Sequence, residues 1–174
     1  MKKIQLLFLA CLLSFAGFVN AQSVDDMVKD WERAKAYTKA YLDVMSDSGY
    51  ALKPTPEMRS FAEQMLHLAD ANYGFIAAAT GATSPIGMGA AEKSTDKSKK
   101  KVDELTLASY DFAIENIKKM DPSKAAEKIK MFNRFEMTKA AAISKAFEHQ
   151  THHRGQTTVY IRLAGKTPPQ EMLF

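Results

Sequence analysis

Apolar side chains recur every three or four residues along most of this chain, the period of a helix that buries one face. The first such segment begins after Ser23, which pairs with Asp26 in a pattern resembling a capping box, and it ends near Ser46. Its apolar stripe comprises Met27, Trp31, Ala34, Tyr37, Thr38, Tyr41, Leu42 and Met45. A long amphipathic helix is therefore expected from about Ser23 to Ser46.

Two further segments carry the same pattern. The second is predicted to begin at Thr55-Pro56-Glu57, where threonine can cap and proline suits the first turn, and to end at Gly81. The third is predicted from about Lys99 to Met120, where the helix-breaking pair Asp121-Pro122 follows. Both segments have the length and spacing of helices that pack on a shared core.

A fourth helix is predicted to begin at Thr138 and to stop at Gly165. Residues 81–98 are rich in Gly, Ala, Ser and Lys, which predicts a long loop of low order. Residues 123–135 are ambiguous, with a short helical turn as the expectation, and the sequence shows no convincing strand. The predicted fold is all-α, a four-helix bundle of the up-down type.

The N-terminus has the features of a secretory signal. Lys2 and Lys3 precede an apolar run over residues 4–19, and Val19-Asn20-Ala21 offers small or short residues for cleavage. The run is short for a membrane span, contains polar residues and has no stop-transfer flank. A signal peptide is therefore predicted over 1–21, which leaves 22–174 as one exported domain, periplasmic or secreted.

Composition narrows the function further. The single cysteine, Cys11, lies in the predicted leader, so the mature domain has no disulfide and no thiol nucleophile. A lipoprotein anchored at Cys11 is a disfavoured alternative, because cleavage there leaves a very short apolar region. Two of the 24 Lys and Arg leave with the signal, which gives 22 against 20 acidic residues. Nucleic-acid binding, which needs a basic stripe, is not expected.

The candidate chemistry lies in the histidines, three of which fall within residues 148–156. His149 and His153 are four apart, so on a helix they share a face with Cβ atoms roughly 5–6 Å apart. That spacing lets two imidazoles bind one divalent metal ion, although His149 and His152, three apart, can also chelate. His67, on the second predicted helix, is the third candidate. The alternative is a set of core or rim histidines that hydrogen-bond to each other and to nearby carbonyls.

The run His149-Gln150-Thr151-His152-His153-Arg154-Gly155-Gln156, followed by Tyr160-Ile161-Arg162-Leu163, resembles the last helix of the DinB/YfiT-like superfamily. The usual signature there is a histidine, three residues, His-Arg-Gly-Gln and a Tyr-x-Arg-Leu tail. Residues 61–71 resemble the other histidine-bearing helix of that family, and Phe135-Glu136-Met137-Thr138 resembles its lead-in to the final helix. The resemblance extends over essentially the whole mature chain.

The resemblance implies a four-helix bundle, commonly dimeric, in which His67, His149 and His153 hold a divalent metal ion. His152 is then a spare histidine beside a ligand. Members of the superfamily are described as metal-dependent hydrolases or thiol-dependent transferases, and many have no assigned reaction. Most are intracellular, and the export signal of this chain departs from that pattern.

Two functions follow as hypotheses. In the first, three neutral imidazoles leave an open coordination position, and the protein acts on an unknown small-molecule substrate. In the second, the metal only locks two helices of a non-catalytic binding or structural bundle in the cell envelope. Zinc, nickel or copper suits an all-imidazole site, with zinc or nickel expected.

The polar neighbours of the histidines offer no obvious general base. Glu63, Asp70 and Glu148 are expected at the surface or in contact with a histidine ring that they orient. Arg154 and Gln156 are expected to fix the end of the helix, with anchoring of a substrate as the alternative, and Gly155 is expected to permit close helix packing.

Overall fold

The computed structural model describes residues 22–174, so the predicted signal peptide lies outside the described residues. The described part of the chain is mostly helical and has four long helices, as predicted: α1 (Val24–Val44), α2 (Phe61–Thr80), α3 (Lys99–Lys118) and α4 (Lys139–Leu163). Two short 3-10 helices, Asp47–Ala51 and Pro122–Lys124, lie in the connections. The up-down order of the helices stays a prediction. From residue 22 onward, each helix is too short or too polar to cross a membrane.

Three of the four helices begin where the sequence places them. The Ser23 hydroxyl accepts a hydrogen bond from the Asp26 amide at 3.1 Å, so this serine caps α1 as predicted. Ser98 caps α3 and Thr138 caps α4 in the same way, each accepting from the backbone amide three residues on. These side chains satisfy amide groups that have no partner within the helix.

The predicted start of α2 was wrong. Thr55 lies in a turn, and the helix begins five residues later, capped by Ser60. The Ser60 hydroxyl accepts from the Glu63 amide at 3.2 Å, while the Glu63 carboxylate accepts from the Ser60 amide at 2.8 Å. This reciprocal pair satisfies two free amides, whereas a cap at Thr55 satisfies one, and this explains why the chain selects Ser60.

The helices pack around an aromatic core. Helix α2 contacts both α3 and α4, and α1 contacts the same two helices from the other side. The ring of Trp31 lies 5.8 Å from the rings of Tyr110 and Phe147, which joins α1 to α3 and α4. Because α2 and α4 are packed neighbours, the two predicted histidine-bearing helices face one another.

A β-hairpin precedes α4, so the expectation that the sequence contains no strand was wrong. Strands β1 (Lys128–Met131) and β2 (Phe135–Thr138) pair antiparallel, with Ile129 opposite Met137 and Met131 opposite Phe135. These four apolar residues share one face, since side chains of a strand alternate between its two faces. Each strand has four residues, which is too short for the alternation to stand out in the sequence.

The long connection between α2 and α3 is held in place, contrary to the prediction of low order. The Asp70 carboxylate on α2 accepts hydrogen bonds from the backbone amides of Ala91, at 3.1 Å, and Glu92, at 2.6 Å. Ala91 itself is 2% exposed. Composition alone cannot show this attachment, because its partner is a side chain more than twenty positions upstream.

Candidate metal centre

Three histidines meet where α2 packs on α4. His67 comes from α2 and His149 and His153 from α4, and one ring nitrogen of each lies within 4.8 Å of the other two. The ring centroids are 4.3 Å apart for His149 and His153, and 4.5 and 5.2 Å from His67 to His153 and His149. The structure therefore brings together the three predicted residues. Their role as metal ligands stays a prediction.

A buried glutamine fixes the His153 ring. Nδ1 of His153 lies 2.9 Å from Oε1 of Gln64. Nε2 of Gln64 donates to Oε1 of Gln156 at 2.9 Å and to the Tyr160 hydroxyl at 3.4 Å. Because the amide nitrogen of Gln64 is engaged as a donor, its oxygen accepts the proton on Nδ1 of His153. The lone pair on Nε2 of His153 is then available to a metal ion.

A carboxylate plays the same part for His67. Oε1 of Glu92 contacts Nδ1 of His67, and an ionised carboxylate can only accept, so Nδ1 donates. Glu92 reaches the ring because Asp70 holds the backbone of the connection against α2. A histidine that donates one nitrogen to a carboxylate presents the other as a ligand, the usual arrangement around bound metals.

His149 has an unpaired nitrogen. Its Nδ1 is buried and has no hydrogen-bond partner among the described residues. A buried polar atom without a partner destabilises a fold, so such atoms are rare unless a water or an ion satisfies them. A divalent ion in the cluster would provide a partner for an imidazole nitrogen here.

The cluster favours neutral imidazoles. Burial, reinforced by the neighbouring histidines, lowers the pKa of His149 to about 4 and that of His153 to about 3. At neutral pH both rings therefore carry a free lone pair, the form that binds metals. These two neutral imidazoles and the ring of His67, whose Nδ1 contacts Glu92, form a donor set that fits a divalent ion.

His152 is set apart from the cluster. It is exposed, and its Nε2 accepts a hydrogen bond from Nε2 of Gln156 at 2.9 Å. Its ring centroid lies 4.9 Å from that of His153, yet it is not among the histidines whose nitrogens converge. The alternative chelating pair of His149 and His152 is therefore not the pair that meets His67.

The acidic neighbours suggested by the sequence do not hydrogen-bond to a clustered ring. Glu63 closes the cap of α2 and bonds to Lys97, whose hydrogen bond helps to lower the pKa of Glu63 to about 2. Asp70 holds the backbone of the connection, and Glu148 pairs with Lys145 at the surface. The carboxylate that orients a ring is Glu92, which the sequence did not indicate.

Arg154 and Gln156, which follow His153, make the structural contacts expected of them. Arg154 is 4% exposed, its guanidinium lies 4.4 Å from the Tyr37 ring centre, and it donates to Oε1 of Gln150 at 2.8 Å. Gln156 supports Gln64, as described above. The expectation for Gly155 was wrong, because it is exposed and an added Cβ would meet no atom within 4 Å.

Two cavities adjoin the cluster. The hairpin pocket, about 490 Å³, is lined by Phe75, Met131, Phe132, Phe135, Met137, Lys145, Glu148, His149 and His152. The loop pocket, about 500 Å³, is lined by His67, Asp70, Ala71, Gly74, Phe75, Met88, Gly89, Glu92, Phe132 and Asn133. Each pocket thus includes a clustered histidine, His149 in one and His67 in the other. Phe75 and Phe132 line both.

Sequence reasoning missed Gln64, Glu92 and Phe132. A signal existed for Gln64, because it lies three residues before His67 and so shares its helix face. Glu92 and Phe132 come from connecting segments, where no local pattern indicates the contact. Their positions depend on how those segments fold back onto α2.

Known proteins share the family profile and the fold of this chain. The DinB family profile matches residues 20–172. The chain is similar to a DinB-like protein from Bacillus cereus, with a TM-score of 0.76 and 21% identity over 87% of this chain and 99% of that one. It is also similar to a DinB-like protein from Bacillus subtilis, with a TM-score of 0.68 and 18% identity over 84% and 96%. No curated protein matches. At these identities the two solved structures indicate a shared fold.

Proposed function

This chain belongs to the DinB family, and we propose that His67, His149 and His153 bind one divalent metal ion in a metal-dependent hydrolase or thiol-dependent transferase. The observation that carries the proposal is the convergence of three imidazole nitrogens, from two helices, within 4.8 Å. Zinc or nickel is the proposed ion, since both accept all-imidazole ligand sets. The substrate is a small molecule.

His67, His149 and His153 would hold the ion, which would supply Lewis-acid chemistry to a carbonyl group or would lower the pKa of a thiol or water. The residues of the chain support that chemistry by holding the rings. Gln64 accepts from His153 and Glu92 contacts His67, which fixes the tautomer of each ring. Burial keeps His149 and His153 unprotonated at neutral pH.

The adjoining cavities favour an accessible site over a purely structural one. A structural zinc site is closed by protein ligands, whereas this cluster borders two cavities of about 490 and 500 Å³. With cobalt bound, an accessible site should change its absorption spectrum when azide or a thiol is added. A spectrum indifferent to both ligands would favour the non-catalytic, metal-locked bundle.

Metal analysis of purified variants tests the ligand assignment. The variants His67→Ala, His149→Ala and His153→Ala should each lose the ion, while His152→Ala, the matched control, should keep it. Loss of metal from His152→Ala together with retention in His153→Ala would mean that the ligand set is wrong.

We also propose that the protein acts in the periplasm or is secreted, supported by Lys2, Lys3 and the apolar run that follows them. N-terminal sequencing of the exported protein should begin at Gln22.

Homodimer formation is proposed from the family resemblance alone, and sedimentation equilibrium of the purified protein tests it.

A further inference from the structure

The hairpin presents its apolar face toward α4 and leaves a gap there. Met131 is buried, but Phe135, directly opposite it in the register, is 50% exposed, although it lies on the face that the hairpin turns inward. Met137 lies two residues further along the same strand and the same face. The apolar face is therefore only partly covered by the described chain, and the hairpin pocket is the space beneath it.

The opposite wall of the hairpin pocket comes from one stripe of α4. The lining residues Lys145, Glu148, His149 and His152 follow the spacing of a single helix face. Lys145 and Glu148 pair with each other at 2.6 Å, so their charges are matched without a ligand. The pocket consequently offers mainly apolar surface, with His149 as its link to the metal centre.

The turn of the hairpin closes one end of the pocket. Phe132 and Asn133 have φ angles of 50° and 57°, the left-handed region that bulky side chains rarely adopt. In this conformation the Phe132 ring lies 5.1 Å from that of Phe75, edge to face, and a Cβ on Gly74 would be 3.9 Å from Phe132 Cε1. The Phe75 ring in turn lies 5.7 Å from His149. An aromatic wall thus runs from the hairpin to the histidine cluster.

We propose that the hairpin pocket binds an uncharged aryl or short alkyl group of the substrate, and that the group to be transformed lies at the histidine cluster. The inference rests on the proposed function, because it assumes that the cluster is the reactive centre. A volume of about 490 Å³ falls in the range of small-molecule sites, which are mostly apolar with a few polar groups. The loop pocket is less suited, since it includes the carboxylates of Asp70 and Glu92.

Two hydroxamates test this, since they share a metal-binding group and differ only in what is attached to it. Titration calorimetry with the zinc-loaded protein compares acetohydroxamate, which carries a methyl group, with benzohydroxamate, which carries a phenyl ring. Burial of the ring should make benzohydroxamate bind at least about tenfold more tightly. In Phe135→Ala that preference should fall toward one, while the affinity for acetohydroxamate stays as in the wild type.

Further variants locate the ring. Met137→Ala, in the same pocket, should also reduce the preference. Met88→Ala is the matched control, because Met88 is 87% exposed and lines only the loop pocket of the two. A preference lost in Met88→Ala and kept in Phe135→Ala would place the ring in the loop pocket and overturn the inference.

The two hydroxamates also separate this inference from the proposed function. Equal affinity for both, each dependent on zinc, would overturn the hairpin pocket and leave the metal centre intact. Zinc-dependent binding of neither would refute the open, substrate-accessible metal site of the proposed function, and the pocket inference would fall with it.

Discussion

Replacing Gln64 tests whether hydrogen bonding prepares the cluster for a metal. The residue is 5% exposed, and Gln64→Leu removes the acceptor that lies 2.9 Å from Nδ1 of His153. Loss of a group that orients a metal-binding histidine commonly lowers metal affinity about 10–100-fold. That range corresponds to about 1.4–2.7 kcal/mol of binding free energy. We expect a loss of this size in a competition titration of the loaded protein with a chelating zinc indicator.

Two companion variants separate orientation from general damage to the fold. Gln64→Glu keeps an acceptor oxygen beside His153 and should bind zinc as tightly as the wild type or more so. Gln156→Leu removes a partner of Gln64 and the donor to His152 but leaves the acceptor of His153 in place, so it should lose less affinity than Gln64→Leu. Each variant is first checked for cooperative thermal unfolding, because an unpaired buried group can itself destabilise the fold by about 1–3 kcal/mol. Unchanged zinc affinity in a folded Gln64→Leu would show that the hydrogen bond from His153 to Gln64 does not contribute to metal binding.

Three other outcomes are expected. In the folded protein the pKa of His149 and that of His153 lie below the ordinary value of 6.5, so the unfolded chain takes up protons first as the pH falls. The metal-free protein should therefore have its full stability above pH 6.5 and lose stability as the pH drops toward 4. Thermal unfolding across that pH range measures the loss. Ser60→Ala removes the cap of α2 and should cost about 1 kcal/mol in chemical denaturation, whereas Thr55→Ala, at the start that the sequence predicted, should cost almost nothing. Chelation of the metal should lower the melting temperature, by an amount equivalent to about 2.7 kcal/mol if the free ion had been at 100 times its dissociation constant.

Much of the fold follows from local sequence rules. Ser23, Ser98 and Thr138 cap their helices because a short polar side chain precedes each apolar stripe. The error at α2 came from two competing start signals, Thr55-Pro56-Glu57 and the capping box that begins at Ser60. Both patterns are known start signals of helices. The helix begins at the one that satisfies more of the free backbone amides in the folded protein.

The connecting segments were the hardest parts to predict. The hairpin has four-residue strands joined by a turn with Phe132 and Asn133 in left-handed conformations, where glycine is the usual signal. The connection between α2 and α3 is attached through Asp70, a contact that local composition cannot reveal. In both cases a partner elsewhere in the chain determines the structure.

In the candidate site, some residues were predictable from local sequence and others are placed by contacts with distant segments. The pairing of His149 with His153 follows from helical periodicity and could be predicted from the residues alone. The approach of His67 depends on the packing of α2 against α4, which the predicted bundle allowed and the family resemblance indicated. Glu92 required the fold itself, because it reaches His67 from a connection with no helical period.

Anomalous X-ray diffraction from crystals of the zinc-loaded protein, recorded at the zinc absorption edge, tests the proposed metal centre directly. We expect a single strong peak bonded to one ring nitrogen each of His67, His149 and His153, at about 2.0–2.1 Å. A peak coordinated by His152 in place of His153, or no peak among the three rings, would contradict it.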